Sequence, residues 1–182
     1  INLALLVPVL TELVKAFQEG ADIHVRTASQ VFGVPEKDVT PEQRARTKAI
    51  NFGIIYGQSG FGLARTLGIA QSEARDQIAA YFARYPGVRA FIQSAIKSAE
   101  QNGYARTMAG RRRYLPDLRS GNPVARNAAE RMAMNAPVQG TASDMIKIAM
   151  VRVAAALRER GVRSRMLLQV HDELLFESPP DE

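Results

Sequence analysis

The stretch Gln43–Gly57, QRARTKAINFGIIYG, together with the Thr40-Pro41 pair before it, constrains this chain more than any other segment. Thr40 suits an N-cap, Pro41 the first helical position, and Gln43 can return a hydrogen bond to the cap, so a helix is expected to start near Thr40. It should run to about Gly57 although Gly53 lies inside it. A helix-interior glycine costs roughly 1 kcal/mol, which close approach of a substrate or of another backbone would explain. Along this helix Arg44, Lys48, Phe52 and Tyr56 recur at a spacing of four. On a helix they form a slowly drifting stripe, two cations followed by two rings, reachable from one side. A nucleoside triphosphate has the matching shape, with phosphates for the cations and a base for a ring face. The other reading is a solvated basic turn followed by two core aromatics.

At 182 residues the chain is long enough for one sizeable core or two small subdomains. The absence of cysteine removes disulfides, thiolate metal sites and thiol nucleophiles. With 24 Lys and Arg against 18 Asp and Glu the net charge is +6, which favours a polyanionic partner, nucleic acid ahead of a membrane surface; a merely soluble basic domain is the alternative. The longest apolar run, Leu3 to Leu10, is interrupted by Pro8 and is too short to span a bilayer. No membrane is expected as a partner. The start lacks the basic and small-residue pattern of a signal peptide. Beginning at Ile1, the sequence is expected to be part of a longer protein.

Helix punctuation recurs along the chain. Leu13, Val14 and Phe17 follow helical spacing with Gly20 placed to end the helix, whereas residues 1–10 read as a strand or an irregular buried lead-in. Asp22 can cap a short helix that carries His24 and stops near Gly33. Ser59, Gly60 and Gly62 mark a turn before a short helix ending at Gly68, and helices are expected over Gln71–Tyr85 and from Pro86 to Asn102, with Gly103 as cap. Tyr104 to Leu115 reads as a hairpin around Ala109-Gly110. Its three adjacent arginines either lean on phosphates or keep the strand edge solvated. A helix over 123–135 breaks around Ala136-Pro137. A long helix from Gln139 to Arg160 follows, with Met145, Ile148, Ala149, Val151 and Leu157 available for a buried face. Last, two apolar runs in Arg165 to Glu177, RMLLQVHDELLFE, surround His171-Asp172-Glu173, which reads as a largely buried hairpin with acidic residues at its bend.

In this order the segments resemble the polymerase region of a family A DNA polymerase, the bacterial DNA polymerase I type. Arg44, Lys48, Phe52, Tyr56 and Gly57 resemble motif B on the fingers helix; Gln169-Val170-His171-Asp172-Glu173 resembles motif C on the palm hairpin. Between them, Arg131 through Asn135 to Gln139 resembles a segment touching primer and template, and Asp22-Ile23-His24 a phosphate-contacting element. The resemblance implies a mainly helical α+β fold: residues 1–10 as remnant or replacement of the motif A region, a fingers-like helical subdomain over 11–103, and a partial palm over 104–182 with a long helix and a C-terminal β-hairpin.

The same resemblance implies a DNA-directed DNA polymerase, joining dNTPs to a primer 3′-hydroxyl with two Mg²⁺ ions, in an intracellular (cytoplasmic) setting with the nucleoid or replicating DNA. Arg44, Lys48 and His24 would bind the triphosphate, and Lys48 would protonate the departing pyrophosphate. Phe52 and Tyr56 would pack at sugar and base. Arg131, Asn135 and Gln139 would lie along the primer–template minor groove, where acceptors are nearly the same for every base pair. His171 would support the primer end, Asp172 would bind metal and Glu173 would assist.

The family's second metal-binding Asp, on motif A, would fall just before Ile1, and Asn2 stands where the family commonly has a Glu. The expectation is therefore a fragment with little activity alone, depending on the motif A strand and thumb, and prone to self-association through an uncovered palm edge. The alternatives are a non-catalytic nucleic-acid-binding module and a fragment that only folds.

Overall fold

The computed structural model describes residues 18–182. The lead-in of residues 1–10 and the helix from Thr11 to Phe17 lie outside the described residues; Gly20 has the left-handed φ of 66° suited to a helix-ending glycine. Helix α1 (Ile23–Phe32) is capped by Asp22, whose carboxylate accepts from the His24 and Val25 amides at 2.8 and 3.2 Å, and is closed by Gly33 at φ 66°. Helix α2 (Pro41–Ile55) carries both halves of the expected capping box, Gln43 N–H to Thr40 Oγ1 at 3.2 Å and Thr40 N–H to Gln43 Oε1 at 2.9 Å. It ends at Tyr56, and Gly57 turns the chain at φ 69°.

Helix α3 (Gly60–Leu67), capped by Ser59, takes in Gly60 and Gly62, which were expected in the turn before it; α4 (Gln71–Arg84) and α5 (Pro86–Asn102), closed by Gly103, follow where the punctuation puts them. A short hairpin, β1 (Tyr104–Arg106) with β2 (Arg112–Tyr114), precedes α6 (Pro123–Asn135). Residues Ala136–Gly140 then widen into a single π-helical turn before α7 (Thr141–Glu159). Pro137 has no amide hydrogen to give to an α-helical ladder, which accounts for the interruption. Strands β3 (Arg165–Val170) and β4 (Glu173–Glu177) pair antiparallel. The fold is thus α+β and mainly helical, as expected.

These elements form two compact units. The first contains the described residues up to Ala105 and Arg113–Asn135; the second contains Arg106–Arg112 and Ala136–Glu182. The 113–135 segment, grouped in the sequence reading with the C-terminal region, packs with the helices of the first unit.

The core of the first unit gathers Ile50 and Ile54 of α2, Leu63 and Ala64 of α3, and Ala74, Tyr81 and Tyr85 from α4 and its end. Burial, with the neighbouring Tyr85, pushes the Tyr81 phenol up to about 12. The Tyr85 hydroxyl donates to Gln30 Oε1 at 2.6 Å, which ties α1 to this core. Because Ile50 and Ile54 point inward with Thr47 and Asn51, the rotation of α2 about its axis is set, and Arg44, Lys48, Phe52 and Tyr56 lie on exposed surface.

In the second unit two expectations are corrected. Along α7 the buried residue is Asp144, while Met145 and Val151 are 67% and 70% exposed and Ile148 is exposed as well. The β3–β4 hairpin is not largely buried either: Leu167, Leu168, Val170, Leu175 and Phe176 are exposed. Two strands alone cannot cover both of their own faces, and among the described residues no third strand joins them. The register runs Val170↔Glu173, Gln169↔Leu174, Leu168↔Leu175 and Met166↔Phe176, so Leu167 is bulged out of the ladder.

The contrast between the two units is measurable. Ile50→Ala is expected to lower unfolding stability by roughly 2–5 kcal/mol in urea titrations, through lost burial and a cavity. Val151→Ala, on the exposed face of α7, should change it by less than about 0.5 kcal/mol.

Candidate functional site

The first unit holds His24, Arg44, Lys48, Phe52, Tyr56, Arg131 and Asn135; the second holds Gln139, His171, Asp172 and Glu173. In the first unit the aromatic half of the stripe is preformed. Phe52 and Tyr56 are 41% and 47% exposed and nearly parallel, with centroids 6.2 Å apart and planes 11° from each other. They are therefore not core aromatics. His24 continues the row from α1, its ring centroid 5.8 Å from that of Phe52.

The cationic half is asymmetric. Arg44 directs both Nε and its terminal guanidinium nitrogen to Asp22 Oδ2 at 2.7 Å, so the cap of α1 is also an ion-pair partner of α2. Among the described residues Lys48 makes no ion pair and stands exposed. Partial burial would raise Asp22, but the Arg44 bond and the Val25 and His24 amides outweigh it and hold the carboxyl below its ordinary value. Burial pushes the His24 imidazole down, Asp22 pulls it up, and the nearby Arg44 and Lys48 charges push it down again; the net direction is down. This ring accordingly favours its neutral form at neutral pH.

Beyond Tyr56 the stripe opens onto a groove of about 540 Å³ lined by Phe52, Gly53, Tyr56, Arg65, Thr66 and Arg131, among others. Gly57 brings Arg131 there. A Cβ on Gly57 would stand 2.8 Å from Met134 Sδ and 2.9 Å from Arg131 Cγ, so only glycine lets the end of α2 meet α6 this closely. A Cβ on Gly53 would lie 2.6 Å from Gln58 Oε1, so the Gln58 side chain, held by its bond to Thr66 Oγ1 at 2.8 Å, packs closely on this glycine, which also lines the groove. At the end of α6, Asn135 has a buried Oδ1 with no hydrogen-bond partner.

In the second unit His171 and Asp172 form the two-residue turn of the hairpin, with His171 at φ 53° and its carbonyl accepting from Gln169 Nε2 at 2.7 Å. Glu173 is the first residue of β4, opposite Val170. Both carboxylates are exposed, and among the described residues neither makes an ion pair. No group of three or more His, Cys, Asp or Glu that would hold a metal gathers among the described residues.

The most buried ionic contact was not legible in the sequence. Asp144 accepts from Thr107 Oγ1 at 2.6 Å and pairs with Arg111, while Thr107 Oγ1 also takes the Arg111 amide at 3.1 Å. Arg111, first of the three adjacent arginines, is thus tied to a buried carboxylate, a contact that neither reading of the arginines included. An acid in the first turn of α7, the only one there, was the available signal. Asn51 was likewise missed as a site neighbour, and the pairing of Asp22 with Arg44 was not expected, because these contacts join residues far apart in the chain.

The His24 environment fixes a sign. Its folded pKa lies below the unfolded value near 6.5, so this ring's contribution to stability is complete above that value and is lost as pH falls through the folded one. Histidine ring NMR titration is expected to give a midpoint below about 6.5. Lys48→Gln should move it up and Asp22→Asn further down; a midpoint at or above the ordinary value would contradict the described surroundings.

A family model for DNA polymerase family A matches residues 7–182. The DNA polymerase I of Mycobacterium bovis is 52% identical over 170 residues, covering 93% of this chain and 19% of the relative. That of Geobacillus stearothermophilus is 49% identical over 170 residues, again covering 93% of this chain and 19% of the relative. The chain thus spans about a fifth of the length of the curated relatives it matches. Among solved structures, the POL domain of Pol1 from M. smegmatis, in complex with DNA primer-template and dNTP, aligns with a TM-score of 0.87 at 50% identity, over 93% of this chain and 30% of that one. This chain, from its outward-facing stripe to its acidic hairpin turn, belongs to DNA polymerase family A.

Proposed function

We propose that this chain is the part of a DNA-directed DNA polymerase that presents a dNTP and touches primer–template DNA during template-directed nucleotidyl transfer. The observation that carries the reading is the stripe itself: an exposed Lys48 that makes no ion pair among the described residues and an exposed Arg44 held by Asp22 at one end, and parallel exposed rings of Phe52 and Tyr56 at the other, bordering an open groove. On this reading Arg44, Lys48 and a neutral His24 bind the triphosphate, and Lys48 delivers a proton to the pyrophosphate as it leaves. Phe52 and Tyr56 take the sugar and base. Arg131, Asn135 and Gln139 follow the minor groove, and His171 supports the primer end. The residues before Gly103 act as fingers and the hairpin as part of the palm, in a protein that works on intracellular DNA. The complex of the M. smegmatis relative with primer-template and dNTP supports those partners.

Asp172 and Glu173 offer the hard carboxylate oxygens that Mg²⁺ takes. As an exposed pair without further ligands nearby among the described residues, they fit part of a magnesium site and not the whole of one. When bound, two such ions would activate the primer hydroxyl and neutralise the triphosphate. The residues of this chain contribute binding, orientation and the Lys48 proton.

Equilibrium binding of dATP to the chain tests the proposal. Lys48→Ala should weaken binding by about 1.5–3 kcal/mol, roughly ten- to a hundredfold, because a charge-assisted contact to phosphate is lost. Asp172→Ala should abolish any strengthening by Mg²⁺, and primer extension by the chain alone should be slight. DNA binding that is steep in salt but indifferent to Lys48, Asp172 and Mg²⁺ would instead identify a non-catalytic nucleic-acid-binding module.

A further inference from the structure

Asn51 follows Ile50 on the inward side of α2 and is buried, so it is not part of the exposed stripe. Its amide Nδ2 nevertheless lies 3.1 Å from His24 Nδ1 on α1. With the amide turned this way its NH₂ can only donate, so the ring nitrogen facing it accepts, while Asn51 Oδ1 on the other side is buried with no hydrogen-bond partner among the described residues. A neutral imidazole that accepts at Nδ1 carries its proton at Nε2. We propose that Asn51 is a positioning residue that holds His24 as the Nε2–H tautomer, so that the ring offers a donor, rather than a lone pair, to the phosphates of a nucleotide at the stripe. The inference rests on the reading that a triphosphate binds beside Arg44 and Lys48.

The surroundings of His24 support this role. Its other neighbours include the tilted Phe52 ring and the Asp22 carboxylate, which is already engaged by Arg44 and by the amides of His24 and Val25. Arg44 and Lys48 disfavour a second proton on the ring. A neutral ring has two tautomers of similar energy, and only one of them presents N–H on the side away from Asn51. A buried side chain behind the ring thereby decides whether His24 attracts or repels an anion.

The chain has two histidines, so ring ¹⁵N spectra are readily assigned with a His171→Gln variant. Above neutral pH, Nδ1 of His24 should carry no proton. In Asn51→Asp, whose carboxylate can only accept, Nδ1 should gain one. Binding of inorganic tripolyphosphate should weaken about fivefold in Asn51→Ala, the size of one neutral hydrogen bond, and this loss should vanish in a His24→Gln background. A proton on Nδ1 in the unsubstituted chain, or an Asn51→Ala effect that persists without His24, would overturn the proposal. If the Asn51 variants do not fold, the spectrum of the unsubstituted chain alone decides it. Tripolyphosphate binding that is insensitive to Lys48→Ala defeats the stripe reading while leaving the ring spectra to judge Asn51; sensitivity to Lys48→Ala with none to Asn51→Ala defeats only the positioning role.

Discussion

The burial of Ile50 and Ile54 in one core with Leu63, Ala74 and Tyr81 governs most of what the first unit can do. Helix α2 has a weak overall bias, since Arg44, Lys48 and the two rings lie on one side while its inward side includes Thr47 and Asn51 as well as the two isoleucines. Two aliphatic anchors one turn apart suffice to choose which side faces the core, because turning the helix would expose both and bury a lysine or an arginine. The orientation of the exposed stripe is thus a by-product of hydrophobic packing on the opposite side. The same logic explains why Phe52 and Tyr56 remain exposed although aromatic rings ordinarily contribute much to cores.

The local grammar of the helices was legible almost residue by residue. The Thr40–Gln43 capping box, the Asp22 cap, the left-handed glycines at 33, 57 and 103 and the break at Pro137 depend on neighbours in sequence, and the structure has them where the sequence reading put them. What failed was burial in the second unit. Apolar periodicity along α7 and β3–β4 identifies surfaces able to be covered, not surfaces covered within a segment of this length, and the described residues supply no layer for them. Of the candidate site, the stripe and the hairpin turn were legible because their members share one element. The Asp22–Arg44, Asn51–His24 and Thr107–Asp144 contacts were not, since each closes a loop of 22 to 37 residues by tertiary packing.

The two units handle polar burial differently. Asp144 is satisfied within the second unit by a hydroxyl and a guanidinium, and the loop from Thr107 to Arg111 is additionally pinned by the Met108 amide on Thr141 Oγ1 at 3.0 Å. Gly140 permits this, since a Cβ there would stand 2.6 Å from Thr107 Cγ2. A buried carboxylate with both partners in place costs little, whereas removing either would strand a charge. The loop that carries Arg111 is therefore held at Thr107, at the Met108 backbone and at Arg111, while the Met108 side chain stays exposed.

The ion pair between Arg44 and Asp22 has a consequence for how an anion would enter. Asp22 already engages Nε and Nη2 of Arg44, so an anion approaching that edge of the guanidinium would compete with a carboxylate. The free energy of that contact is then a difference between two charge-assisted bonds, and a singly charged anion gains almost nothing from the exchange. An anion of higher charge that reached Lys48 as well would offset the cost of separating the pair. Asp22 in this way acts as an internal competitor that makes the cationic end of α2 respond to the charge density of what it meets.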